Sequence, residues 1–182
     1  TKVLTENLDA LHAVATALLE YETLTGDEVK QLLEQGVPVN TQRSDGMTAA
    51  MMAAYCGREE ALRELIRRGA DLQARDQCGA TALYCSLASV GKGVTEPDAT
   101  RMLLASGASP DGYAAHCGRT ALMIAATDAR LTEHVQVLLD HRADPTLRAR
   151  EGTDPKYSAF DPLVMKSLLN RCLLADVVKD VW

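Results

Sequence analysis

The sequence predicts an all-α solenoid. Helix–turn–helix units with hairpin-like loops stack in one row, roughly four to five of them including caps. Three observations predict this. Two sets of turn landmarks recur in phase, a short apolar helix follows each turn, and aromatic residues make up only 4% of a chain that is 47% hydrophobic. Helices rich in alanine and leucine pack closely without aromatics, whereas a β-sandwich draws on aromatic and β-branched strands.

The first landmark series is Gly36-Val37, Gly69-Ala70, Gly107-Ala108 and Arg142-Ala143, spaced by 33, 38 and 35 residues. The second is Asp45-Gly46-Met47-Thr48, Cys78-Gly79-Ala80-Thr81 and Cys117-Gly118-Arg119-Thr120, with Gly152 after them, spaced by 33, 39 and 34. A glycine just past a helix C-terminus stops it. A unit of this size cannot bury its apolar face alone, so neighbours must cover one another.

Along the chain, residues 1–25 form an N-terminal capping helix. Leu4, Leu8, Leu11, Ala15, Leu18 and Leu19 lie at helical spacing on one face. Thr25 reads as an N-cap and Glu28 completes a capping box. Residues 26–150 hold the repeats. Their first helices cover Ala49–Ala54, Ala82–Leu87 and Ala121–Ala126. Their second helices end in Leu32-Leu33, Leu65-Ile66, Leu103-Leu104 and Leu138-Leu139. The carboxylates of Asp27-Glu28, Glu59-Glu60 and Glu133 begin helices, where the dipole favours them. The third unit carries an insertion, Ser89 to Pro97, whose two glycines and proline predict a surface loop, read either as a tolerated insertion or as a partner-contacting protrusion. Residues 151–182, with helical stretches at Phe160–Leu174 and Ala175–Trp182, form a degenerate capping repeat.

Asp45-Gly46-Met47-Thr48-Ala49-Ala50-Met51-Met52-Ala53-Ala54-Tyr55-Cys56-Gly57, followed by Leu65-Ile66-Arg67-Arg68-Gly69-Ala70-Asp71, resembles the ankyrin repeat. The family's Thr-Pro-Leu-His reads Thr48-Ala49-Ala50-Met51, Thr81-Ala82-Leu83-Tyr84 and Thr120-Ala121-Leu122-Met123 here. Proline is thus lost from the first helical position, and histidine from the end. A second resemblance covers only residues 4–29. Leu18-Leu19-Glu20-Tyr21-Glu22-Thr23-Leu24 is similar to the C-terminal helices of FtsH-type AAA metalloproteases. No His-Glu-x-x-His zinc helix and no phosphate loop accompany it, so no catalytic residue carries over. Ala10 to Ala15 also fits a first ankyrin helix, and the two readings are compatible if one helix serves both patterns.

The net charge of −6 argues against a nucleic-acid partner. No apolar run is long enough for a membrane span, and Thr1 to Asp9 lack a signal-peptide core. The chain begins at Thr1, as expected of a fragment or a processed product. Five cysteines without a Cys-x-x-Cys pair predict free thiols and a cytoplasmic setting, in a bacterium by the FtsH resemblance. The histidines (His12, His116, His134, His141) do not converge on a metal site, and no Gly-x-Ser-x-Gly elbow is present. His134 and His141, two turns apart on one helix, read as solvated. Charges at Glu60, Arg63, Glu64, Arg67 and Arg68 read as a solvated outer face with a favourable Glu64–Arg68 pair. Neither a catalytic residue nor a cofactor is expected.

The ankyrin resemblance implies a protein-interaction module that uses its turn tips and inner-helix surface. At the tips it implicates Arg43, Ser44, Asp45, Met47, Arg75, Gln77, Cys78, Ala80, Tyr113, His116, Arg119, Arg148 and Arg150. On the inner helices it implicates Met51, Tyr55, Cys56, Tyr84, Ala88, Ser89, Met123, Thr127 and Asp128. The arginines among them predict a basic ridge and a protein partner with an acidic segment, with Asp45, Asp76 and Glu151 as the internal neutralisers that would silence it. A monomer is favoured. The alternative reading is a regulatory or substrate-recruiting C-terminal region of an FtsH-type ATP-dependent zinc metalloprotease that lacks the catalytic domains.

Overall fold

The computed structural model describes residues 27, 30, 34, 38–89, 96–114 and 118–147. The expected caps at residues 1–25 and 151–182, the middle of the insertion, His116, Cys117, Arg148 and Arg150 lie outside the described residues.

Each repeat opens on a threonine that caps its first helix. Thr48, Thr81 and Thr120 hold extended backbone, and their hydroxyls accept the N–H of Met51, Tyr84 and Met123 at 3.2, 3.4 and 3.3 Å. The helices they start are α1 (Ala49–Tyr55), α3 (Ala82–Ala88) and α5 (Ala121–Ala125). Helices of five to seven residues are unstable alone, so tertiary packing must hold these. Five of the seven α1 residues are buried, Ala50 to Ala54 in succession, which makes α1 an interior helix rather than an amphipathic one.

The second helices are α2 (Glu59–Arg67), α4 (Asp98–Ala105) and α6 (Thr132–Asp140), the last preceded by a short 3-10 turn at Ala129–Leu131. Glu59, Asp98 and Glu133 occupy their first turns, at the favourable end of the dipole. These helices are amphipathic: α2 buries Ala61, Leu62 and Leu65 and exposes Arg63 and Arg67. First helices pack in the row α1–α3–α5 and second helices in the row α2–α4–α6, with each pair also packed internally. In the middle pair, the buried hydroxyls of Ser86 and Thr100 join at 2.8 Å. Leu65, Leu104 and Leu139 share one hydrophobic core, with Leu139 half-buried at its edge. The register equivalents of Leu65 are Leu103 and Leu138, each fully buried.

Helices stop at residues in the left-handed region: Gly69 (φ 83°), Gly107 (φ 93°) and, at the equivalent place, Arg142 (φ 64°). The turns between repeats contain a little β structure. Tyr113–Ala114 (β1) pairs antiparallel with Arg119–Thr120 (β2), and Gln42 bridges Thr48.

One expectation needs correction. His134 is fully buried, not solvated, because it shares a helical face with Leu131, Val135 and Leu138. Of the described residues in the insertion, Ser89 and Pro97 are buried and Glu96 is exposed. The Ser89 hydroxyl donates to the Ser86 carbonyl at 2.6 Å, and Pro97 is the N-cap residue of α4.

Candidate functional site

The turn tips are built alike. Arg43 N–H donates to Met47 O and Gly46 N–H to Arg43 O, both at 2.9 Å. One repeat later, Asp76 N–H donates to Ala80 O at 3.0 Å and Gly79 N–H to Asp76 O at 2.9 Å. Successive tips are then tied together. Gln77 N–H donates to Asp45 O at 3.0 Å, the Gln77 side-chain amide donates to Ser44 O, and the Gln42 amide donates to Arg75 O at 3.0 Å.

Between these tips and the α1 and α3 helices lies a groove of about 470 Å³. It brings together Arg43, Asp45, Met47 and Tyr55 from one repeat with Cys78, Ala80, Tyr84 and Ala88 from the next, all expected from the sequence. Met52, Asp76 and Cys85 also line it; Asp76 was expected only as a neutraliser of the arginines, and Met52 and Cys85 were not expected. Register finds Asp76, which stands 33 residues after Arg43, and relates Cys85 to Met52 by the same step of 33. Position by position, the second repeat therefore offers the first repeat's lining positions again, with the charge at the tip reversed.

The electrostatics of the groove follow from these partners. Arg43 Nη2 lies 2.9 Å from Asp45 Oδ2, and Asp45 Oδ1 accepts Met47 N–H at 3.0 Å, so this pair is satisfied internally. Asp76 Oδ1 accepts Ala80 N–H at 2.7 Å, and Asp76 is in no salt bridge among the described residues. Burial pushes the Cys85 thiol up to about 12, and the Asp76 charge adds to the rise, so Cys85 is a neutral, apolar wall. Of the described cysteines, Cys56 is half-buried, Cys78 is exposed and Cys85 is buried. Among the described residues, no group of three or more His, Cys, Asp or Glu side chains is placed to hold a metal.

Several expected contact residues lie elsewhere. Met51 and Met123 are 1% exposed and belong to the core, outside the groove lining. The Met51 thioether folds back to accept Thr48 N–H at 3.5 Å, completing a capping box in place of the usual carboxylate. Gln77 is exposed, but its amide ties the tips together. Arg75 Nη1 donates to Gly79 O at 2.9 Å, outside the groove lining. Arg119 lies in β2, half-buried. Tyr113 contributes backbone to β1. Thr127 and Asp128 serve the local backbone: the Thr127 hydroxyl donates to Ile124 O at 2.7 Å, and the Asp128 carboxylate accepts from Arg130 N–H and its guanidinium. Arg43 and Arg75 therefore each meet a protein acceptor rather than forming one open basic strip.

On the outer face, Glu64 accepts from Arg67 and Arg68, with 2.9 Å to Arg68 as expected and 2.6 Å to Arg67 in addition. Those hydrogen bonds, the Arg67 one foremost, hold the Glu64 carboxyl down at about 2. Among the described residues, no helix is long and apolar enough to cross a membrane.

Comparison with known proteins places this geometry. A family model described as "Ankyrin repeats (3 copies)" matches residues 11–113, and one described as "Ankyrin repeat" matches residues 117–150. The first match begins inside the segment that resembles the FtsH tail. An ATP-dependent zinc metalloprotease FtsH of Neorickettsia risticii is 56% identical over 45 residues, 25% of this chain and 7% of that protein. The FtsH of Caulobacter vibrioides is 40% identical over 50 residues, 28% of this chain and 8% of that protein. The Neurogenic locus Notch protein of Drosophila melanogaster is 32% identical over 106 residues, 58% of this chain and 4% of that protein. The chain thus spans under a tenth of the length of each of these relatives.

Proposed function

The chain belongs to the ankyrin-repeat family, and from that premise we propose that it is a non-catalytic docking module that binds a segment of another protein in the groove between α1 and α3. The observation that carries the reading is the convergence of the half-buried Met47, Tyr55 and Tyr84, drawn from two repeats, on one groove. Tyrosine and methionine supply large, adaptable apolar contact area, and tyrosine is a frequent interface anchor. Polar tips rim this apolar centre, the usual anatomy of a specific interface. Arg75, Arg119, Tyr113, His116 and Arg148 belong to the same proposal as the extended tip surface. Five cysteines, an odd number without a Cys-x-x-Cys pair, favour a reducing, cytoplasmic setting. The reading includes neither cofactor nor nucleic acid.

The test is capture of the partner from a lysate of the source organism, followed by titration against variants. Tyr55→Ala and Tyr84→Ala should each weaken binding by roughly 1–2 kcal/mol, with circular dichroism unchanged. A partner that binds both folded variants as tightly as the parent chain sinks the reading.

The local FtsH matches favour a second reading, in which this array recruits substrates or adaptors for an ATP-dependent zinc metalloprotease. Sequencing the full reading frame tests it: an upstream His-Glu-x-x-His helix and ATPase module support it, and a frame without them removes it.

A further inference from the structure

We propose that the groove between α1 and α3 receives a lysine or arginine side chain of the partner segment, with its aliphatic stem against Tyr55 and Tyr84 and its cationic head at Asp76. This inference rests on the reading of the groove as the docking face and adds the chemistry of the anchor.

Charge balance carries the argument. Three charged tip residues line the groove: Arg43, Asp45 and Asp76. Arg43 and Asp45 neutralise each other at 2.9 Å. Asp76 is left with a backbone N–H on one oxygen and no cation within salt-bridge distance among the described residues. Its charge is felt at the groove wall, where it helps to keep the Cys85 thiol protonated.

Each class of anchor would fare differently here. An aliphatic or aromatic anchor would strip water from the half-buried Asp76 carboxylate without replacing it, which is unfavourable. An acidic anchor would bring a third carboxylate beside Asp45 and Asp76, facing one guanidinium already engaged. A lysine or arginine side chain satisfies both parts of the surface. Its methylene stem covers apolar lining, its head pairs with the carboxylate, and tyrosine faces attract cations. The overall charge of −6 favours approach of the same kind of ligand.

The experiment titrates the isotopically labelled full chain separately with N-acetyl-arginine amide, N-acetyl-norleucine amide and N-acetyl-glutamate amide, following backbone amide shifts in α1, α3 and the two tips. The arginine probe should bind about fivefold more tightly than the norleucine probe, as one partly shielded ion pair allows. Asp76→Asn should abolish that preference by weakening arginine binding, and norleucine binding should not weaken, because no charge is then desolvated. Asparagine still accepts Ala80 N–H, so the turn should survive, which unchanged shifts outside the groove would verify. Equal binding of the arginine and norleucine probes, preference for the glutamate probe, a preference that persists in Asp76→Asn, or silence at the groove amides would each overturn the cationic anchor. Those outcomes leave partner binding and its dependence on Tyr55 and Tyr84 as a separate measurement, so the two ideas fail separately.

Discussion

The Asp111 carboxylate accepts the backbone N–H of Asp144 at 2.9 Å, across 33 residues, at the point where one repeat hands over to the next. Asn40 makes the matching bond to Asp71 N–H at 2.7 Å. Asp71 and Asp144 in turn each accept the N–H two residues on, from Gln73 and Thr146. A polar side chain in one repeat thus fixes the loop of the next, and the loop carboxylate fixes itself.

Because Asn40 already does with an amide what Asp111 does with a carboxylate, Asp111→Asn should be nearly neutral. Asp111→Ala should cost about 1 kcal/mol, the net worth of one partly buried hydrogen bond. Urea titration reads the first effect as a shift in midpoint, and hydrogen exchange at the Asp144 amide locates it. Equal midpoints for the alanine and parent chains would show that the bond contributes nothing.

Arg142 ends α6 with φ 64°, where the equivalent Gly69 and Gly107 end α2 and α4 at no steric cost. A side chain in the left-handed region is strained by roughly 1 kcal/mol. Arg142→Gly should therefore raise stability by about 0.5–1 kcal/mol, even though glycine loses more chain entropy on folding. The converse change, Gly107→Ala, should cost about 1 kcal/mol, because nothing lies within 4 Å of the added Cβ and only the backbone term remains. Thermal melts of both variants check the pair, and a destabilised Arg142→Gly would contradict it.

Gly46 combines that conformation with a tight approach. Its φ is 81°, and an added Cβ would lie 2.8 Å from Gln77 N and 3.0 Å from Asp76 Cα. Both neighbours are backbone and belong to the next tip, so neither can swing away. Gly46→Ala should cost about 2–4 kcal/mol, well beyond Gly107→Ala. It should also perturb the groove, since Asp45 and Asp76 flank the contact. A denaturation midpoint equal to that of Gly107→Ala would show that the tips are not in contact.

What was legible in the sequence is what recurs. The phase of Gly69, Gly107 and Arg142 located three helix ends, including the one without glycine, because the backbone demand at that position is the same in every repeat. Tyr55 and Tyr84 were legible as groove residues through the inner-helix pattern. Side-chain direction was not. Met51, Tyr84 and Met123 occupy one register position, yet only Tyr84 lines the groove, and the Met51 sulfur turns back to its own cap. Charge partners were legible in part: Asp45, named as a neutraliser of the arginines, lies 2.9 Å from Arg43, whereas Asp76, named with it, is in no salt bridge among the described residues. The two-turn spacing of His134 and His141 suggests a solvated face, whereas the helical phase of His134 with Leu131, Val135 and Leu138 buries it.

His134 gives the last expectation. Both ring nitrogens are buried without a hydrogen-bond partner, and burial holds its pKa below the ordinary 6.5, the Glu133 charge opposing part of that shift. The unfolded chain therefore binds a proton more readily than the folded one. Stability from this site is fully present above about pH 6.5 and is lost as pH falls from there through the depressed folded value. One proton sets the ceiling on the slope, about 1.4 kcal/mol per pH unit. The carboxyls of Glu64 and Asp128, held at about 2 by their arginines, titrate below this window, so they do not mask it. Unfolding titrations between pH 7.5 and 5.5, bounds set on either side of roughly 6.5, should show the parent chain weakening with acid. His134→Leu, which keeps an apolar side chain on the buried face, should flatten that dependence. An unchanged slope in a folded His134→Leu chain would assign the acid sensitivity to another group.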